Sequence, residues 1–360
     1  DRAALRGRGL ELLRGHDRPV KTGGDPPVAL TIAGSDSGSG AGIQADLRAM
    51  AAFGVLATTA VTAVTAQNTA EVRAVHLVPP EMVDAQIAAV LSDLPVQATK
   101  TGMLGSAETV EVVAARAGRG ELPRLVVDPV MVASTGRPLL DPDGIAAYRD
   151  RLLPHALVVT PNLWEAGMLV DEAPPADVDA MVELAYRIAA LGPTWVLVKG
   201  GHLPGVDGGN GQGGQRGQRG RPPGTVEDVL CNGRQAFRLG GAWVDTPNTH
   251  GTGCSLSAAL AANLAAGKEV REAAERATRF VHEALVRARG WRLGAGPGPI
   301  DQLGWSRAWA SDRSSCPRPQ QWPGLSTRPL PPDCHSVTRV AGPEPLLRVA
   351  PLGRHRMRAF

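Results

Sequence analysis

The sequence predicts an α/β fold with a mostly parallel central sheet, helices on both faces and three layers in all. Short runs of apolar and β-branched residues alternate along the chain with longer segments whose apolar residues recur at helical spacing. The short runs are apolar almost throughout, which is typical of parallel strands buried on both faces. Polar or glycine-rich loops follow several of these runs, so ligand-binding residues are expected at the carboxyl ends of the strands.

The predicted strands are short and rich in valine, leucine, isoleucine and threonine. Residues 28–33 read Val-Ala-Leu-Thr-Ile-Ala and enter a glycine-rich loop, and residues 58–65 are mainly threonine, valine and alanine. Three further strands have the same apolar character, and each ends at a polar residue: 125–128, 157–160 and 195–199.

Amphipathic helices are predicted between these strands. Apolar residues at helical intervals place helices at 43–53, 80–91 and 178–191. A further helix is expected after the glycine loop at 251–253, because Leu256, Leu260 and Leu264 recur on one helical face.

Composition and charge bound the class of protein. The 360 residues are 43% hydrophobic, enough for a sizeable core, and no apolar run approaches the roughly 18 residues that span a bilayer. Four cysteines lie far apart without a C-x-x-C pair, which favours a reducing compartment, and we expect a cytoplasmic protein. Residues 306–360 carry nine arginines and three acidic residues, so the rest of the chain has a net charge of −3. This mildly acidic balance argues against a specific nucleic-acid partner.

Three segments are expected to lie outside the packed domain. Residues 1–27 form a basic N-terminal extension. Residues 205–224 hold nine glycines and are expected to be a mobile insertion, and the proline- and arginine-rich residues 306–360 are expected to be a disordered tail. The domain itself is therefore predicted to span residues 28–305.

The loop before the last predicted helix has the features of an anion site. Gly251 and Gly253 allow backbone conformations closed to other residues, and N–H groups at a helix N-terminus bind phosphate or a developing oxyanion. Cys254 lies where this field is expected to lower a thiol pKa. Taken alone, the loop fits an ordinary turn with a buried cysteine equally well.

Polar residues at other strand ends indicate phosphate chemistry. Asp128, Asn162 and Glu165 are oxygen donors of the kind that suits Mg²⁺, and Lys199 can neutralise a transferring phosphoryl group. Neither a P-loop nor a dinucleotide-binding G-x-G-x-x-G motif is present. Singly, these residues also fit helix caps and surface charges; together they predict a nucleotide-dependent phosphotransferase.

A flat heteroaromatic ligand needs a few polar groups in an apolar pocket. Asp46 and Gln67 are polar residues in small or apolar surroundings, and Gln67 offers a donor and an acceptor from one amide. The glycines from Gly34 onward allow close approach to the backbone, and the turn at 100–104 carries the flexible Met103. Singly, each also fits a surface residue, a tight turn or a core methionine.

Seven motifs together carry a family resemblance. They are Ala33 to Asp36 with Gly40 to Asp46, Ala66 to Thr69, Lys100 to Leu104, Asp128 to Met131, Thr160 to Asn162 with Glu165, Lys199 to His202, and Asn248 to Cys254. In these motifs and their order the chain resembles the hydroxymethylpyrimidine/phosphomethylpyrimidine kinases of thiamine synthesis, across residues 28–305. The resemblance implies a ribokinase-like fold, ATP and Mg²⁺ as cofactors, and a homodimer. It implies phosphorylation of 4-amino-5-hydroxymethyl-2-methylpyrimidine and then of its monophosphate.

The resemblance also assigns roles to single residues. It implies that Gln67 reads the pyrimidine and that Gly34, Asp46, Met103 and Val130 complete the pocket. It places Lys199 and Asn162 at the ATP phosphates and Glu165 and Asp128 at Mg²⁺. Cys254 stands in the position of the aspartate base of most ribokinase-like sugar kinases, with the backbone N–H groups of Gly251, Thr252, Gly253 and Cys254 stabilising the phosphoryl group.

Two alternatives remain open. The first is a pyridoxal or pyridoxamine kinase of the same fold, because that ring also carries a hydroxymethyl group. The second is a sensor that binds a pyrimidine without catalysis, against which the intact Lys199, Glu165 and Cys254 argue.

Overall fold

A computed structural model describes residues 24–132, 139–201, 203 and 224–306. All of these belong to the first of two compact units, which spans residues 1–313. The predictions for residues 1–23, for most of the glycine-rich insertion and for the tail after residue 306 lie outside the described residues. None of the helices within those ranges is both long and apolar enough to cross a membrane.

One sheet of nine strands runs through the described residues, in the order β3-β2-β1-β4-β5-β6-β7-β8-β9. The strands are β1 (Val28–Ser35), β2 (Leu56–Gln67), β3 (Val72–Leu77), β4 (Val96–Thr101), β5 (Val126–Val127), β6 (Val158–Val159), β7 (Trp195–Val198), β8 (Thr225–Cys231) and β9 (Ala236–Ala242). The pairings from β2 through β1 and β4 to β7 are parallel, and those of β3, β8 and β9 are antiparallel. The predicted mostly parallel sheet is confirmed.

The strand sequences explain why both faces of the sheet are covered. Neighbouring residues of a strand point to opposite faces, and Val126 and Val127 of β5 belong to two different hydrophobic clusters, each fully buried. Val158 and Val159 of β6 divide in the same way. A strand that is apolar at every position therefore forms the boundary between two cores, as the sequence pattern predicts.

Eight α-helices flank the sheet in the described ranges. They are α1 (Gly42–Ala52), α2 (Pro80–Asp93), α3 (Ala107–Gly118), α4 (Pro142–Ala147), α5 (Leu163–Leu169), α6 (Val178–Ala189), α7 (Thr252–Ala265) and α8 (Val270–Ala288). The buried residues of α1, α7 and α8 form the cluster on one face of the sheet, and those of α2 to α6 form the cluster on the other. A π-helical turn (Tyr148–Leu152) continues α4.

Four strands of the structure are not predicted from the sequence: β4 inside the sheet, and the antiparallel strands β3, β8 and β9. Polar or charged residues interrupt the apolar pattern in each of them. Lys100, expected in a glycine turn, lies in β4 with its side chain fully buried. The carboxyl ends of β1 and β4 to β7 meet at one edge of the sheet, where the candidate site lies.

Candidate active site

A cavity of about 620 Å³ lies at this edge of the sheet. It collects residues from the carboxyl ends of six strands, β1, β2 and β4 to β7, and from the start of α7. Twelve of the thirteen predicted site residues line it: Gly34, Gln67, Met103, Asp128, Val130, Asn162, Glu165, Lys199, Gly251, Thr252, Gly253 and Cys254. The thirteenth, Asp46, does not.

The predicted anion loop ends at a helix N-terminus. Gly251 precedes α7 with a φ of +81°, a left-handed conformation that glycine adopts without strain. A Cβ at this position would overlap the carbonyl oxygen of Gly40, so the close approach of the two glycine loops also requires glycine. No side chain caps α7, although the Thr252 N–H donates to the Thr249 carbonyl at 3.3 Å. The positive end of this 14-residue helix therefore faces the cavity.

Lys199 and two carboxylates form a charged cluster next to this helix start. The Lys199 Nζ atom lies 2.9 Å from Asp128 Oδ1 and 3.8 Å from Glu165 Oε2. Although burial lowers the pKa of Lys199, the two carboxylates outweigh this and raise it, so the side chain is a cation. A Cβ at Gly253 would lie only 3.2 Å from Nζ. The ammonium group is thus directly beside the first turn of α7.

Helix α5 fixes the orientation of Glu165. Asn162 and Glu165 form a capping box, in which Glu165 Oε2 accepts the Asn162 N–H at 2.8 Å and Asn162 Oδ1 accepts the Glu165 N–H at 2.9 Å. Burial, together with the Asp128 carboxylate, raises the pKa of Glu165 to about 7, although the Lys199 ammonium lowers it. The carboxylate is held at the cavity wall by its own helix.

The donor set fits Mg²⁺. This ion binds through one or two carboxylates, substrate phosphates and water, and Asp128 and Glu165 both line the cavity with Lys199 between them. In the described ranges, no group of three or more histidine, cysteine and acidic side chains is arranged to hold a metal ion. Two carboxylates leave coordination positions that water and the phosphates of a substrate would fill.

Asp46 is a correction to the sequence prediction. Its side chain is fully buried, and its two oxygens lie 3.0 and 2.8 Å from Lys100 Nζ, with a further hydrogen bond from the Thr31 hydroxyl. These contacts occupy the carboxylate and hold it below the cavity floor. Lys100, which the sequence analysis treats only as part of a turn, is the member of the pair that lines the cavity.

The expected activation of the Cys254 thiol is also wrong for the free protein. Burial has the largest effect and, with the carboxylates of Asp46 and Asp128, raises the pKa of Cys254 to about 11. The Lys100 ammonium lowers the pKa but does not outweigh burial. The prediction of a lowered thiol pKa rests on the helix N-terminus alone. The desolvation of a packed loop depends on tertiary contacts that the sequence does not show.

The side of the cavity that is predicted to hold the pyrimidine is formed by small and apolar residues around Gln67. Gly34 lies so close to Met103 that a Cβ would approach the Met103 Cε atom to 2.5 Å. Behind Gln67, His250 Nε2 lies 2.9 Å from Asp36 Oδ2, and both of these side chains are buried. Asp36 and His250 line the cavity but were not predicted as site residues.

Sequence signals for two of the missed residues exist. Lys100 is the one charged residue of β4, which reads Val-Gln-Ala-Thr-Lys-Thr, and in a sheet covered on both faces a lysine is rarely buried unless it is paired. Asp36 opens a glycine loop and accepts the N–H groups of Gly38, Gly40 and Ala41, as aspartate commonly does in turns. The role of His250 depends on the contact between two distant loops and has no local signal.

Comparison with known proteins decides the family. The sequence profile of the family described as phosphomethylpyrimidine kinase matches residues 36–301. The chain belongs to this family. It is 45% identical over 276 residues to a hydroxymethylpyrimidine/phosphomethylpyrimidine kinase from Rhizobium meliloti, covering 76% of this chain and 96% of that protein.

Solved structures of related kinases share the fold. A phosphomethylpyrimidine kinase from Clostridium difficile is 35% identical with a TM-score of 0.59, covering 72% of this chain and 99% of that one. A pyridoxal kinase from Staphylococcus aureus in complex with AMP-PCP and pyridoxal is 31% identical with a TM-score of 0.67, covering 79% of this chain and 96% of that one. The phosphomethylpyrimidine kinase family thus shares its architecture with pyridoxal kinases.

Proposed function

We propose that the protein transfers the γ-phosphoryl group of ATP to 4-amino-5-hydroxymethyl-2-methylpyrimidine, and then phosphorylates the monophosphate to the diphosphate. The single observation that carries the proposal is the convergence of two kinds of residue on one cavity. Gln67 and Met103 suit a flat polar ring, while Lys199, Asp128 and the Gly251–Cys254 loop suit a phosphoryl group. The sequence similarity to hydroxymethylpyrimidine/phosphomethylpyrimidine kinases supports the same reaction.

Phosphoryl transfer needs positioning and charge stabilisation more than covalent chemistry. The hydroxymethyl oxygen bonds to the γ-phosphorus as the bond to the β-phosphate oxygen breaks, and ADP leaves. Lys199 and the backbone N–H groups at the start of α7 stabilise the charge on the transferring group. Mg²⁺, when bound at Asp128 and Glu165, supplies further charge neutralisation at the ATP phosphates.

Cys254 accepts the proton of the hydroxymethyl group in this proposal. The proton moves to the thiolate form, and Lys100 stabilises that form electrostatically. Because the pKa of the resting thiol is about 11, the thiolate is a minor species at neutral pH. Turnover is therefore expected to rise with pH through the neutral range.

Product analysis tests the proposal directly. The purified protein is incubated with the hydroxymethylpyrimidine, ATP and Mg²⁺, and the mono- and diphosphates are separated and identified. Both products are expected. Monophosphate alone would restrict the function to the first step, and the absence of both would refute the proposal.

Pyridoxal is the second candidate substrate, because a pyridoxal kinase binds pyridoxal on the same fold. Parallel assays with the pyrimidine and with pyridoxal, at matched ATP and Mg²⁺, decide between them. The larger kcat/KM identifies the principal substrate. We expect this to be the pyrimidine, given the higher identity to hydroxymethylpyrimidine/phosphomethylpyrimidine kinases.

We also propose that the protein works in the cytoplasm as a homodimer. Cys231 and Cys254 are free thiols, which suits a reducing compartment that supplies ATP. Four large apolar side chains of β2, β3 and α2 are exposed: Leu56, Val64, Leu77 and Met82. Such exposure at the edge of a sheet favours contact with a second copy, and sedimentation analysis of the purified protein tests it.

A further inference from the structure

Three side chains link the substrate side of the cavity to the anion loop. His250 Nε2 lies 2.9 Å from Asp36 Oδ2, and the two side chains are only 8% and 4% exposed. The Gln67 amide nitrogen lies 3.4 Å from the same imidazole nitrogen. His250 is also the residue before Gly251, so one imidazole contacts both the ring-reading amide and the start of the anion loop.

The chemistry of Asp36 decides which atom of this group is the donor. The N–H groups of Gly38, Gly40 and Ala41 donate to the Asp36 side chain at 2.8, 3.1 and 2.8 Å, and although burial raises the pKa of Asp36, the pKa lies below its usual value. Asp36 is therefore a carboxylate, which only accepts hydrogen bonds. At 2.9 Å from a carboxylate oxygen, His250 Nε2 must carry a proton and donate it.

The donor at Nε2 in turn restricts the Gln67 amide. An N–H group and an NH₂ group are both donors, so they form no hydrogen bond when they face each other. The oxygen and nitrogen of a glutamine amide exchange places by a half-turn about the terminal torsion. With Oε1 toward His250, the amide oxygen shares the single Nε2 hydrogen with Asp36 Oδ2, whereas with NH₂ toward His250 two donors face each other.

We propose that His250 is a positioning residue that orients the Gln67 amide, with Oε1 toward the imidazole and NH₂ toward the substrate. The main chain of Gln67 is already held, because the Ser37 hydroxyl accepts its N–H at 2.8 Å and donates to its carbonyl at 2.7 Å. Gly40 makes room for the imidazole, since a Cβ there would overlap the ring. The amide is thus the one part of Gln67 that His250 is needed to fix.

The consequence is selection for a hydrogen-bond acceptor in the substrate ring. An oriented NH₂ group favours a ring nitrogen with a lone pair over a C–H group at the same place. The inference rests on the proposed function, because it assumes that Gln67 contacts the pyrimidine. The inference adds His250, which does not contact the ring itself but determines which ring atom the Gln67 amide recognises.

The test compares substrates that differ by one ring nitrogen. The kcat/KM of the pyrimidine is measured beside those of two analogues, in each of which one ring nitrogen is replaced by C–H. In the wild type, one analogue is expected to lose about 10-fold or more. In His250→Ala this loss is expected to shrink to about 3-fold or less, because the amide turns freely. His250→Gln, which can donate to Asp36, is expected to restore part of the discrimination.

Asn248→Ala is the matched control in the same loop. The Asn248 amide donates to the carbonyl groups of Ala288 and Trp291 at 2.8 and 3.2 Å, so its loss loosens the loop while leaving the His250 and Asp36 side chains in place. It should lower kcat/KM for all three substrates by one common factor. If His250→Ala behaves in the same way, the imidazole is only structural and the inference is overturned.

A second measurement uses the wild type alone and covers the case in which His250→Ala does not fold. The side-chain ¹⁵N–¹H₂ resonances of Gln67, assigned by their loss in Gln67→Glu, are expected to shift on binding the pyrimidine. They should shift much less with the analogue that lacks the recognised nitrogen. Equal shifts with all three ligands would overturn the inference. Failure of the wild type to phosphorylate the pyrimidine would instead refute the proposed function.

Discussion

Cys254 shows how two opposing influences act on one side chain. A helix N-terminus and the Lys100 ammonium favour a thiolate, while burial and the carboxylates of Asp46 and Asp128 oppose it. Burial has the largest effect, because desolvating the thiolate in a packed site costs more free energy than the Lys100 ammonium and the helix N-terminus return. The thiol is therefore protonated in the resting protein.

The rate of alkylation measures the protonation state of the Cys254 thiol. A raised pKa means that the thiolate fraction of Cys254 grows with pH up to about 11. At about pH 7.5, iodoacetamide is expected to modify Cys254 more than 100-fold more slowly than free cysteine, whose pKa is about 8.5, and the rate should rise about tenfold for each pH unit. Site-resolved mass spectrometry provides the rate. Modification as fast as that of free cysteine would contradict the raised pKa.

The matching activity test is Cys254→Ala. It is expected to lose most of the turnover, since a general base contributes about 10²–10⁴-fold, while the Kd for the pyrimidine stays close to that of the wild type. Calorimetric titration and initial rates give the two quantities. Unchanged turnover would exclude Cys254 as the proton acceptor.

Comparing Gly251 with Gly267 separates the effect of a left-handed backbone from the effect of a close contact with a neighbouring loop. Gly251 and Gly267 have φ values of +81° and +80°, but no atom lies near a Cβ built at Gly267, whereas one at Gly251 would overlap Gly40. Gly267→Ala is expected to lower the free energy of unfolding by about 1–2 kcal/mol with normal turnover. Gly251→Ala should be less stable than Gly267→Ala and lose about 100-fold or more in turnover. Equal effects in urea unfolding and rate assays would contradict this role of the Gly40 contact.

At the scale of elements, one buried ion pair joins α1 to β4. Asp46 on α1 and Lys100 on β4 are both fully buried. A buried pair is a weak source of net stability, but removing one partner leaves an uncompensated charge. The pair therefore ties the helix after the first glycine loop to the strand that carries the cavity floor.

Single and double substitutions test this link. Lys100→Met is expected to lower the free energy of unfolding by about 3–5 kcal/mol, and Asp46→Leu combined with Lys100→Met should recover most of the loss. The control is the exposed ion pair between Lys268, just before α8, and Glu272 of α8, where Lys268→Met should change stability by about 0.5 kcal/mol or less. Urea unfolding measures all three variants. A double variant as unstable as the single one would show that the pair contributes more than charge compensation.

At the scale of the whole molecule, the described residues that form the two cores and line the cavity lie between residues 29 and 297. The family profile ends at residue 301, where Ile300 and Asp301 are fully buried. The segment after α8 also supports the anion loop, because the Gly298 carbonyl accepts the His250 N–H at 3.0 Å. The domain boundaries at residues 28 and 305 stay a prediction.

Truncation tests this boundary. A chain of residues 24–306 is expected to keep the kcat and KM of the full chain, because every contact described for the site lies within it. A chain of residues 24–290 loses the support of His250 and the buried Ile300, and it is expected to be much less stable or unable to fold. Lower activity of the longer fragment would show that the remaining segments contribute to the site.

The sequence by itself was enough to predict the fold class and the family, and twelve of the thirteen predicted site residues line the cavity. Strand and helix patterns are local, and seven motifs keep their order along the chain, so both are visible without coordinates. The tertiary structure alone decided that Asp46 is buried against Lys100, that burial outweighs the helix field at Cys254, and that His250 joins Asp36 to Gln67. The physical reason is the same in each case: desolvation and hydrogen bonding depend on which distant segments meet, and spacing along the chain does not encode this.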